Sequence, residues 1–205
     1  MKLNRSSLFL TLLFPGILAA GDVGPAGVRL GARYDAMDVE HHWLPGRPVD
    51  WRTGDPDGRT SRGYPTHCDY FVESTCERLG VFMPHLGVSA NDLARWLAKD
   101  GAGQGWKPVP SPFEAQRLAN AGQVVVVAYA TPPPHELVPG HIALVRPSAK
   151  SDEEIRKEGP QVVQAGGRNA NSTPLKTGFH FHREAWKSAD DFQVRFYVHT
   201  PPDGN

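Results

Sequence analysis

Between Cys68 and Leu79 the apolar and small positions Cys68, Val72, Thr75, Cys76 and Leu79 recur at the spacing of one helix face. Thr66 offers an N-cap, Asp69 supplies an acid in the first turn, and Gly80 is a natural stop. Ser89 and Asn91 can cap a second helix running to about Lys99, with Leu93, Trp96 and Leu97 on its apolar side. A third, short helix is expected from Pro112 to Asn120. The period then changes. Gln123 to Ala130 is a β-branched run that predicts a buried strand, and His141 to Arg146 and Gln161 to Ala165 predict two more. Thr177 to His182 offers a further strand. Phe192 to His199 alternates, with Phe192, Val194, Phe196 and Val198 inward. Helices first and an antiparallel meander afterwards give an α+β domain, helices packed on a sheet.

The flanks read differently. Residues 21–63 are rich in Gly, Pro and Asp and predict an extended lead-in with turns, pinned by Trp43 and Trp51. Ser148 to Pro160 is charged and predicts a solvated hairpin loop. Residues 1–20 have the form of a secretory signal peptide, with Lys2 and Arg5 before an apolar stretch that ends in small residues at Ala20. That stretch is short for a bilayer span, so no stable membrane insertion is expected after cleavage, and the mature chain is expected to be secreted or periplasmic. The main domain is expected over residues 64–200.

Composition narrows the partners. Lys plus Arg equals Asp plus Glu at 22 each, so there is no net charge, and no basic stripe suggests a nucleic-acid partner. The two cysteines, Cys68 and Cys76, would lie about 12 Å apart along one helix. A disulfide needs Cα atoms within about 7 Å, so two free thiols are expected in an exported chain. One thiol acting as a nucleophile accounts for this. Cys68 falls at a helix N-terminus, where unpaired N–H groups favour the thiolate, and His141 at the start of a strand can supply an imidazole. Cys76, inside the helix, reads as core. His180 and His182 would share a strand face, but no third ligand in a zinc motif accompanies them, so no metal or other cofactor is expected.

The stretch His67-Cys-Asp-Tyr-Phe-Val72 resembles the nucleophile motif of CHAP (cysteine- and histidine-dependent amidohydrolase/peptidase) and NlpC-type domains. Ala121-Gly-Gln-Val-Val-Val-Val127 is similar to the strand before their catalytic histidine, and Gly140-His-Ile-Ala-Leu-Val145 to the histidine strand itself. The resemblance covers roughly residues 60–200. It implies a papain-like fold that cuts amide bonds, commonly in peptidoglycan, with Cys68 and His141 catalytic and Gln164 at the third position. His67 stands where Gln or Asp is frequent, and Gln164 stands in place of His, Asn or Glu. Gln164 can accept from the imidazole Nδ1–H and fix the ring; Asn169 and Asn171 compete for that role. Tyr64 is a candidate oxyanion donor or a packing residue. The function expected is an exported cysteine amidohydrolase or peptidase acting on peptidoglycan or another peptide. The alternative is a catalytically inactive binding domain of the same fold, and acyl transfer by the same dyad stays open.

Overall fold

The computed structural model describes residues 21–60, 65–85 and 89–202. The expected signal peptide and Tyr64 lie outside the described residues. Among the described residues six α-helices are present: α1 (Pro25–Asp35), α2 (Cys68–Arg78), α3 (Ala90–Lys99), α4 (Pro112–Asn120), α5 (Asp152–Glu158) and α6 (Leu175–Gly178). Eight strands accompany them: β1 (Lys107–Val109), β2 (Val124–Tyr129), β3 (His141–Val145), β4 (Gln161–Gln164), β5 (Ala170–Pro174), β6 (Trp186–Ser188), β7 (Asp191–Phe192) and β8 (Arg195–His199). The main sheet is antiparallel in the order β1-β8-β2-β3-β4-β5, and β6 and β7 form a separate hairpin. The architecture is α+β.

Both faces of the sheet are covered, which is why β2 is apolar at nearly every position. Val124, Val126 and Ala128 of β2 join Ile142 and Leu144 of β3 in a core with α1, α2 and α3. Val125, Val127 and Tyr129 point the other way, with Ala143 and Val145, into a second core made by α4, Leu175, Phe179 and Trp186. The predicted helical face of α2 holds, since Cys68, Val72, Thr75, Cys76 and Leu79 are all buried. Both thiols are reduced.

Four local expectations are corrected. The lead-in contains α1, whose Leu30 and Tyr34 enter the main core beside Trp43; Pro25 opens it, and Gly27, where a Cβ would fall 2.2 Å from the Asn120 carbonyl, lets it pack closely. Ser148 to Pro160 contains α5 rather than a hairpin loop. A capping box between Ser151 and Glu154 starts that helix, and Ile155, buried at about 1.5–3 kcal/mol for a side chain of its size, anchors it. Thr177 to His182 is no strand: α6 and the turns after it, with Phe179 N–H donating to Leu175 and His182 N–H to Phe179, coil the segment inward. The stretch from Phe192 to His199 breaks at Gln193 and Val194, whose N–H groups both turn to the carbonyl of Ala185, so Phe192 belongs to the small hairpin and β8 begins at Arg195.

Candidate active site

The helix α2 begins without a side-chain cap. Its N-cap is His67 rather than the expected Thr66, and His67 is held by an Nε2 bond of 2.8 Å to the Arg47 carbonyl. First-turn N–H groups are therefore free for other acceptors. The N–H groups of Ile142, Asp69 and Cys68 itself reach the Cys68 sulfur and favour its thiolate. Two larger effects oppose them: burial first, then the negative charge of Asp69, and together these push the thiol up to about 12. The thiolate expected from a helix N-terminus is thus outweighed by loss of water, and the resting sulfur is S–H.

His141 opens β3 directly before Ile142, the residue whose N–H faces the sulfur. Strand alternation sends Ile142 and Leu144 toward α2 and puts His141 in line with Ala143 and Val145. Alternation thus points the two side chains toward opposite faces of β3, and what links them is the Ile142 N–H, one residue after His141, that reaches the sulfur. The ladder between β3 and β4 pairs Leu144 with Val163 and Val145 with Val162, so His141 lies beyond it, where the sheet edge opens.

The His141 ring is held on several sides. Its Nε2 is hydrogen-bonded to Gln164 Oε1, and the Gln164 amide is itself fixed by an Nε2 bond of 2.9 Å to the Arg168 carbonyl. The sequence expectation had Nδ1 in that bond; the ring presents Nε2 instead, because Gln164 approaches from the end of β4. An amide oxygen only accepts, so His141 Nε2 carries the proton and Nδ1 carries the lone pair. Phe179 packs edge-on with ring centroids 4.5 Å apart, and His182 lies nearly parallel at 6.1 Å. Burial lowers the His141 pKa to about 4; the Gln164 bond opposes this, and His182 and His180 reinforce it. The imidazole is neutral at pH 7.

Asn169 and Asn171 do not compete for the ring. Asn169 donates to the carbonyls of Val39, His42 and Trp43, and Asn171 binds Asp35, so both tie the early segment to the sheet. Cys76 is core, as expected.

No local pattern in the sequence singles out Gly166. A Cβ there would lie 3.2 Å from His141 Cε1, so the bare backbone leaves room for the ring. Asp69, read as a first-turn acid, also lines a cleft of about 290 Å³ with His67, Tyr70 and Arg59, and burial raises its carboxyl to about 6. Only the folded chain distinguishes that role from ordinary helix capping.

Among the described residues no group of three or more His, Cys, Asp or Glu is placed to hold a metal, and no helix is long and apolar enough to cross a membrane. No family model matches the chain, and no curated protein matches it.

Proposed function

We propose that the chain is a papain-like cysteine amidohydrolase or peptidase, exported, and acting on amide bonds of peptidoglycan peptides. The observation that carries the reading is the fixed His141–Gln164 pair at the end of β3, beside the backbone N–H that faces the Cys68 sulfur. The substrate class rests on the sequence resemblance and the expected compartment.

Resting neutrality sets the chemistry. With the thiol high and the imidazole low, Cys68 attacks as its proton passes to His141 Nδ1. A C–S bond forms, and the N–H groups around the sulfur stabilise the carbonyl oxygen as it gains charge. The imidazolium then gives its proton to the leaving amine as the C–N bond breaks. Water, deprotonated by His141, hydrolyses the thioester and returns Cys68 to S–H. Gln164 holds the ring in the tautomer that the first step needs.

The deep burial of both groups favours a second reading, a binding domain that keeps the fold without turnover. Digestion of purified peptidoglycan, with fragments identified by mass, separates the two. New amine and carboxyl ends that vanish with Cys68→Ala support the enzyme. Intact polymer that is retained by the protein supports the binding domain.

A further inference from the structure

Asn91 stands in the first turn of α3, where the sequence gives it the look of a cap. Capping falls instead to Ser89, in a reciprocal box with Asp92. Asn91 is 1% exposed, and its amide is fully used. Nδ2 donates to the carbonyls of Glu136 (3.0 Å) and Val138 (2.9 Å), while Oδ1 accepts from the N–H of Thr131 at 2.9 Å. Those partners lie at both ends of the connection from β2 to β3. One side chain thus closes the segment that delivers His141.

Among the described residues the connection has little else to hold it. Residues 132–139 are exposed, with Leu137 99% accessible, and their internal bonds are two tight turns from His135 to Pro132 and from Val138 to His135. At its end, Gly140 is so close to Asn91 that a Cβ would fall 2.4 Å from Oδ1 and 2.1 Å from the Tyr129 carbonyl. Tyr129 is the register partner of His141. The amide of Asn91, the end of β2 and the start of β3 converge on one point, one residue from the imidazole.

We infer that Asn91 is a positioning residue: its amide clamps the β2–β3 connection and so sets where His141 begins its strand. The inference rests on the proposed role of His141 as base. A displaced connection moves the ring relative to Cys68, and misplacement by about 1 Å costs on the order of 100-fold in rate. Asn91→Asp keeps the acceptor for Thr131 but sets a carboxylate against two carbonyls; Asn91→Ser removes all three bonds.

The test follows the rate of Cys68 alkylation by iodoacetamide against pH, beside kcat and KM on peptidoglycan peptides. The wild-type protein should show a limb near pH 4 that depends on His141. Both variants, at a temperature where circular dichroism shows them folded, should lose that limb and lose kcat by about 100-fold with KM little changed. A limb unchanged in both variants overturns the positioning role. Its absence from the wild type overturns the reading of the site and the positioning role with it. Hydrogen exchange on the wild-type protein tests the clamp without any variant. The Thr131 amide should be protected like those of β2, and exchange at the rate of an open loop overturns the inference.

Discussion

His141 donates from Nε2 to the side-chain oxygen of Gln164, and that one bond decides which ring nitrogen is free to accept a proton. An amide oxygen holds the ring by geometry alone. A carboxylate in that place would also stabilise the imidazolium, and Gln164 forgoes this, in keeping with the neutral imidazole of the proposed base.

Gln164→Ala should lower kcat by about 10–100-fold, the usual scale for groups that orient another residue. Gln164→Glu should raise the His141 pKa and move the acid limb of the rate profile to higher pH. Steady-state kinetics across pH 3 to 8 checks both. An acid limb that does not move in Gln164→Glu would place the titrating group elsewhere.

Stability should depend on His141 with a defined sign. Burial depresses its folded pKa to about 4, below the ordinary value of 6.5. Above pH 6.5 both the folded and unfolded forms are neutral. As pH falls from 6.5 to 4 the unfolded chain takes up a proton that the folded chain refuses, and stability drops by up to about 1.4 kcal/mol per pH unit. His141→Gln should remove that slope. Urea unfolding at pH 7 and pH 5 measures it, and an equal slope in the variant would contradict the assigned cause.

Asp69→Asn should make Cys68 easier to ionise, because the Asp69 charge is the second cause, after burial, of the raised thiol. Asp69 is ionised above its own raised value of about 6, so the difference should appear at pH 8 to 9 and fade near pH 5. Iodoacetamide alkylation of the two proteins is the comparison, with faster labelling expected for the variant. Slower labelling would mean that Asp69 supports the thiolate instead.

Gly166→Ala should displace the His141 ring, since its Cβ would press on Cε1 at 3.2 Å. Activity should fall at least tenfold, while the melting temperature changes by only a few degrees, as for a contact at a loop. Heteronuclear NMR of the imidazole should show a changed environment in the same variant. Full activity with an unshifted ring would show that the neighbouring atoms absorb the methyl group.

Periodicity made α2, α3, α4 and the strands β2, β3 and β4 readable, because a face buried in a core must repeat with the period of its element. It also set Cys68 at a helix start and His141 at a strand start. Where reading failed, the deciding contacts lay far along the chain. The helix α1 is weakly patterned and is held by a core that residues a hundred positions away complete. Ile155 is a lone apolar residue among charges, and only the pocket it fills makes α5 a folded element. Residues Thr177 to His182 have strand-like alternation, yet Phe179 is drawn inward to cover His141.

The sequence by itself determined that a cysteine opens one helix and a histidine opens one strand, since those follow from local pattern and local backbone chemistry. Ionisation was decided by tertiary structure alone. A helix N-terminus favours a thiolate, but the water removed from around Cys68 disfavours it more, and desolvation depends on everything packed nearby. The same holds for the tautomer of His141, set by the direction from which Gln164 arrives, and for Asn91, whose three partners belong to a loop forty or more residues further on. Such relationships are geometric, and no spacing within one segment encodes them.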